Sequence, residues 1–439
     1  MTKLLKAGVS IVDISPGKEI ELAGYPHFPR YDTGIHDPLY ASCIFLDDGI
    51  TKLAIVCMDI LMYSKTYVKS VRTKVSAQTE IPPKNIMISC SHTHSGPWAS
   101  GRLDLEALKK GLKPDENYIK KLEDKIVSLI VKAYKNTFEA KIGVGKGFCG
   151  KEKGIGGNRR DPKGVADPQV WTIGIQDREG NWKACLVKYS LHPTIIHENS
   201  TLVTADYPGY IRKYLGKTKP DAIMLFAQGT SGNQSTRYFR SEQTFEEAKR
   251  IGYAIGKETN NVLNSMKLKS NTSLIVKSAE TDIELKKLPS KKEAEAEVLR
   301  TRDKLEKLKK ENASYIDIQN ANLQNLGAED TLGFVLLKKK GLDLKADELP
   351  VEIQIIGIGK SRIVGVQGEI FVEFGLKIQK NSPFKNTFVI TLANGCLPGY
   401  ACTKEAYIQG GYEAGASMLT GKSGDIIVET ALKLVSGIK

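Results

Sequence analysis

Ser91-His92-Thr93-His94-Ser95-Gly96-Pro97 constrains this chain more than any other stretch, because it follows directly on the apolar run Asn85-Ile86-Met87-Ile88-Ser89-Cys90. Such a run reads as a buried strand, and Gly96-Pro97 ends it. Side chains alternate along a strand, so His92 and His94 are expected to emerge on one side where the strand stops. That makes a corner for a metal. Imidazole nitrogen suits zinc, and a catalytic zinc takes about three protein ligands with one position left open. A lone histidine is more often a satisfied structural residue. Here, however, three of the six histidines (His92, His94, His192) stand at strand ends beside Pro, Thr or Ser.

His192 belongs to Lys188-Tyr189-Ser190-Leu191-His192-Pro193-Thr194, where an apolar run from Trp182 to Leu191 is broken by proline. An acidic candidate, Glu369, ends Val364-Gly365-Val366-Gln367-Gly368-Glu369, a strand running into glycine and then a helix. A single glutamate there is ordinarily a helix N-terminal charge worth a few tenths to about 1 kcal/mol. Its weight as a ligand depends on the company that the fold gives it.

Taken together these strings resemble the neutral/alkaline ceramidase family, zinc amidohydrolases that cleave the amide of N-acyl sphingoid bases. The resemblance starts at Ala7-Gly8-Val9-Ser10-Ile11-Val12-Asp13-Ile14-Ser15-Pro16. It continues through Gly24-Tyr25, Gly34-Ile35-His36-Asp37-Pro38-Leu39, the His-Thr-His-Ser-Gly-Pro string, His192-Pro193-Thr194, Gly368-Glu369 and Asn394-Gly395, and ends in Tyr412-Glu413-Ala414-Gly415-Ala416-Ser417. It implies that His92, His192, Glu369 and Tyr400 hold Zn2+, that His94 is a hydrogen-bonding or proton-transfer group, and that Arg159 and Tyr412 line the reacting carbonyl. Zinc can bring the pKa of water towards ~7 and polarise an amide oxygen while an imidazole moves protons. Without the family, Tyr400 and Tyr412 read as packed aromatics with a hydrogen-bonded hydroxyl.

The chain also departs from the family. Where the family has Gly-Asp-x-Ser-Pro-Asn, it carries Gly232-Asn233-Gln234-Ser235-Thr236-Arg237. Ser235 keeps its place among changed neighbours, and is expected to position substrate rather than to be acylated. The altered charge of Asn233 and Arg237 is expected at the site. Trp98 stands where the family uses small residues, and is expected to narrow the cleft or wall a different acyl group.

A chain of 439 residues can bury a large core, and ~150 residues per domain would allow two or three domains or one elaborate one. The resemblance favours one catalytic domain over 1–439 without the family's C-terminal sandwich domain. The formal charge of +14 is scattered over helices and loops, which argues against a nucleic-acid module and allows attraction to anionic membranes. Seven cysteines without ligand-like spacing read as buried free thiols. With no signal-peptide pattern at Met1-Thr2-Lys3-Leu4-Leu5-Lys6, a cytoplasmic location is expected.

Strand-like runs at 41–45, 53–58, 85–90, 142–144, 170–175 and 184–191 alternate with helix-like runs at 67–77, 116–134 and 245–263. This predicts an α/β fold of layered mixed sheets flanked by helices. A charged helical-hairpin insertion is expected over 289–330. It opens on a Ser290/Glu293 capping box, carries a narrow seam of Ala294, Val298, Thr301, Leu305 and Leu308, and returns over 316–326. The expected function is hydrolysis of a linear amide in a lipid or small molecule by a metal-activated water. The alternatives are a different lipid ester, a small N-acyl metabolite, or a metal- or lipid-binding homologue without turnover.

Overall fold

Along the strand that carries them, Ile44 and Leu46 face one core while Cys43 and Phe45 face another, the pattern of a strand buried on both sides. The computed structural model describes residues 4–101, 105–341 and 348–437. Within them an eight-stranded sheet comprises β1 (Lys6–Asp13), β2 (Tyr40–Asp47), β3 (Lys52–Met58), β4 (Ile86–Cys90), β5 (Thr137–Phe148), β6 (Gln169–Asp177), β7 (Trp182–Tyr189) and β8 (Ile223–Gln228). Its spatial order is β8-β7-β6-β5-β1-β2-β3-β4. The edge pairs β3–β4 and β7–β8 are parallel and the inner pairs antiparallel. A parallel neighbour requires a crossover, which the helices Lys65–Ser76 and Tyr207–Thr218 supply.

A second sheet, β9 (Leu274–Thr281), β10 (Val351–Ile358), β11 (Ser361–Val366) and β12 (Asn386–Ile390), packs on the first through Ile356, Ile363, Phe388 and Ile390 against Ile55, Trp171, Leu186 and Leu225. Helices cover the outer faces. Lys65–Ser76 and Glu116–Lys135 lie on one flank of the first sheet, Tyr207–Thr218 and Phe245–Ser265 on the other, and Val372–Asn381 and Ser423–Ser436 on the second sheet. The predicted α/β layering of mixed sheets is therefore the fold.

One short strap after β12 matters most for the site. Thr391 N–H donates to Gln228 O at the end of β8 (2.8 Å), and Asn394 N–H donates to Ile88 O of β4 (2.7 Å). The strap thereby joins the two edges of a sheet that curls until β8 packs on β2, β3 and β4. Asn394 sits at φ 62°, a conformation asparagine tolerates, and its Oδ1 takes the Ile88 N–H at 2.9 Å.

The paired helices Lys291–Lys310 and Tyr315–Lys339 stand on this body, and the Ser290/Glu293 capping box is present. Ala294, Val298, Thr301 and Leu305 are buried as expected, while Leu308 is half-exposed. The second helix runs well past the expected 316–326. Gly327 looks like a helix breaker by propensity, but it gives the close approach to Gly415, whose added Cβ would fall 2.5 Å from Gly327 backbone. All seven cysteines are buried and unpaired. No described helix is long and apolar enough to cross a membrane.

Candidate functional site

β4 stops at Cys90. His92 then adopts φ 71°, so a left-handed turn rather than strand alternation brings His92 and His94 together. Their ring centroids lie 4.9 Å apart, and His192, beyond the end of β7, stands 4.8 Å from His92 and 5.8 Å from His94. One ligand atom from each of the three histidines lies within 4.8 Å of the others. Glu369 opens the short strand Glu369–Ile370 between β11 and the helix Val372–Asn381. Its Oε2 comes 3.2 Å from His92 Nε2 and 2.9 Å from His192 Nε2.

The second nitrogen of each imidazole distinguishes these histidines. His92 Nδ1 is 2.9 Å from Leu61 O, and His192 Nδ1 is 2.8 Å from Ser231 O. A carbonyl accepts only from N–H, so both rings carry their proton on Nδ1 and present a bare Nε2. This is the support a metal-ligating histidine ordinarily has. His92 Nε2, His192 Nε2 and Glu369 Oε2 are buried and make no aligned hydrogen bond, despite their proximity. Three buried acceptor atoms converging on one point without a donor are costly unless a cation joins them. The donor set fits a divalent ion. His94 is different, because no carbonyl holds its ring and both its nitrogens are buried without a hydrogen bond. Burial, then the charges of His92 and His192, hold its pKa well below the usual value. Gly24, at φ 98°, lies under it so closely that a Cβ there would meet the ring at 2.4 Å.

Tyr400 is the parallel partner of Glu369. Burial and then the Glu369 carboxylate push its phenol well above the usual range, against the pull of Arg159. The Arg159 guanidinium lies 5.5 Å from the Tyr400 ring centre, and the Tyr412 ring 6.0 Å from it. Arg159 Nη2 is buried and unbonded. The fold thus gathers Arg159, Tyr400 and Tyr412 on the flank of the site where Glu369 lies.

Glu413, to which the sequence assigned no role, fixes that flank. Its carboxylate takes Arg159 Nε and Arg160 Nη1 at 2.7 Å each. Burial would raise its pKa, yet the two guanidiniums bring it to about 2. Its position beside Tyr412 was the only signal.

The altered loop behaves otherwise than its charge suggests. Asn233 Nδ2 donates to Glu373 (3.1 and 2.9 Å) and its Oδ1 accepts Val372 N–H at 3.0 Å. Asn233 therefore holds the N-terminus of the helix after Glu369, where an aspartate would meet Glu373 as a like charge. Ser235 pairs with Gly157, and its Oγ accepts Arg237 N–H at 3.2 Å. Among the described residues no imidazole bonds to it. Trp98 packs on Ala23 and Leu61 and also walls a cavity of about 500 Å³ with Ile14 and Tyr118.

A family model described as neutral/alkaline non-lysosomal ceramidase, N-terminal, matches residues 5–238. Neutral ceramidase A of Dictyostelium discoideum is 26% identical over 221 residues, covering 46% of this chain and 30% of that protein. Neutral ceramidase of Pseudomonas aeruginosa is 23% identical over 249 residues, covering 52% and 36%. The chain thus aligns with about a third of the length of these relatives. The crystal structure of the Pseudomonas aeruginosa protein superposes with a TM-score of 0.75 at 18% identity, over 99% of this chain and 74% of that one.

Proposed function

Because the chain belongs to the neutral/alkaline non-lysosomal ceramidase family, we propose that it is an amidohydrolase that cleaves a linear N-acyl bond at the corner formed by His92, His192, Glu369 and Tyr400. One observation carries this reading: the two carbonyl-held imidazoles and Glu369 aim unbonded atoms at one buried point. A divalent ion held there, for which this histidine and carboxylate set suits zinc, would supply Lewis acidity to the amide carbonyl and acidity to water. The chain's own residues do the rest. Arg159, fixed by Glu413, offers its unbonded Nη2 to the charge that develops on the carbonyl oxygen, a contribution of a few kcal/mol. His94 lacks the carbonyl support of a ligand and is placed to take and return the proton. Tyr412 packs beside Tyr400. Ser235 orients the loop through Arg237 N–H and is not the nucleophile.

The test is a metal analysis coupled to hydrolysis of N-acyl amides and matched esters, followed by mass spectrometry. Amide cleavage should vanish on chelation and return with zinc. A fully metal-loaded protein that cleaves neither amide nor ester overturns the reading in favour of a non-catalytic binding homologue.

A further inference from the structure

Two arginines on the Ser235 loop take no part in that reaction. Arg237 Nη1 donates to Arg159 O at 3.0 Å, and Arg240 Nη1 donates to Thr194 O at 2.9 Å, two residues beyond His192. Both side chains are half-buried. Neither has a carboxylate within ion-pair reach among the described residues, and the nearby acids Glu413, Glu247 and Asp206 are engaged elsewhere. Glu413 is taken by Arg159 and Arg160, and Glu247 by Arg250. Asp206 accepts the N–H groups of Ile195, Ile196 and Tyr207. Glu198 lies against His197 with its Oε2 unbonded, outside ion-pair reach of either arginine.

The arginines also sit close to the reacting centre. The Tyr25 ring packs against His94 (5.0 Å between centroids) and His197 (4.7 Å), with the Arg30 guanidinium 4.8 Å from its centre. Burial, then the charges of Arg240, Arg237 and Arg30, hold His197 down to about 3. Arg30, whose Nη2 donates to His94 O at 2.5 Å, thus shares the neighbourhood of Tyr25 and His197 with Arg237 and Arg240. Half-buried cations without a counter-ion are costly, and the N–H fork of a guanidinium matches the oxygens of a carboxylate or phosphate. The neutral hydroxyl headgroup of a ceramide would leave that field unused.

We propose that the substrate is an N-acyl amine bearing an oxyanion near the amide, of which N-acyl amino acids are the simplest class, with Arg237 and Arg240 binding the anionic group. This rests on the amidohydrolase reading above and names its substrate class.

The test compares N-dodecanoylglycine with its neutral analogue N-dodecanoylethanolamine, with N-dodecanoylphosphoethanolamine and with N-dodecanoylsphingosine, using the metal-loaded protein. The glycine or phosphoethanolamine conjugate should exceed the neutral amides by ~10-fold or more in kcat/KM, chiefly through KM. Which of the two leads distinguishes carboxylate from phosphate. R237Q, R240Q and the double variant should bring the anionic-to-neutral ratio towards unity. R237K should restore part of it, and K309Q, which removes an exposed charge on the hairpin, should leave it unchanged. A neutral amide as the best substrate, or an unchanged ratio in the double variant, overturns the proposal. If no amide is cleaved, the amidohydrolase reading has failed, and titration calorimetry then decides the anion site separately. N-dodecanoylglycine should bind more tightly than the ethanolamide and lose that advantage in the double variant, and equal binding of both, or none, overturns it.

Discussion

At the proposed metal corner, the groups that aim the donors come from far along the chain: Leu61 O for His92, Ser231 O for His192, and Glu369 from between β11 and β12 of the second sheet. In the helical pair Lys291–Lys310 and Tyr315–Lys339, many ties are local, such as the Ser290/Glu293 box and the pair Arg300–Glu297. That hairpin meets the body through an apolar cluster of Phe334 and Leu337 with Met418 and through a set of polar ties. His27 lies between Glu329 (3.3 Å) and Asp330 (3.2 Å), Thr331 Oγ1 donates to Gly415 O at 2.8 Å, and Gly327 abuts Gly415. The contrast teaches that the corner exists only once the sheet has closed, whereas the hairpin's own structure rests on local ties and only its placement depends on the body. Those ties land beside Tyr25 and Tyr412, on two sides of the site.

The largest expected effect breaks the corner. His92→Ala or His192→Ala should each remove stoichiometric divalent metal from a protein that circular dichroism still shows folded. His94→Ala should keep the metal and lower kcat by ~10²-fold or more. Loss of metal in His94→Ala would instead make it a ligand and break the distinction drawn from carbonyl support.

Behind His192, Lys188 and Asp167 form a fully buried ion pair at 2.7 Å. Lys188→Met leaves that carboxylate charged and unpaired, and should cost about 3–5 kcal/mol in urea unfolding. A loss below about 1 kcal/mol would show that Ser190 and the Gln169 N–H suffice to hold Asp167.

The hairpin tie offers a pH test. Burial alone would lower the His27 pKa, but Asp330 and Glu329 raise it to about 10, while the unfolded value is about 6.5. A raised folded pKa means stability fully present below about 6.5 and lost as pH climbs through about 10. Nε2 meets Asp330 without hydrogen-bond alignment, so the tie is set at about 1–3 kcal/mol at pH 6. The stability gap between wild type and His27→Gln should shrink steadily from pH 6.5 to 10.5. A flat gap would remove the imidazolium from the account.

Smaller still, Ser290→Ala should cost about 1 kcal/mol locally, read as faster amide exchange in the first turn of its helix. Ser235→Ala should raise KM a few-fold with turnover retained, and an acyl adduct on Ser235 during turnover would restore serine as nucleophile.

Sequence alone determined what depends on neighbours along the chain. Apolar runs ending at Cys90 and near Tyr189 put histidines at strand ends, the capping box opened the hairpin, and apolar surroundings marked the cysteines as buried. The order of the motifs added the family. Tertiary structure decided what depends on positions far apart in the chain. His92 and His94 meet through a left-handed turn that strand alternation does not describe. The helix from Tyr315 runs through Gly327 because Gly415 needs the space. Glu413 takes its role from Arg159 and Arg160, some 250 residues earlier, and Asn233 takes its role from Glu373. Above all, β4 and β7 lie far apart in strand order, so strand-end placement could nominate His92 and His192 but could not bring them together. That required the sheet to curl and the 391–394 strap to join its edges, a closure set by packing between two sheets and encoded in no short stretch of chain.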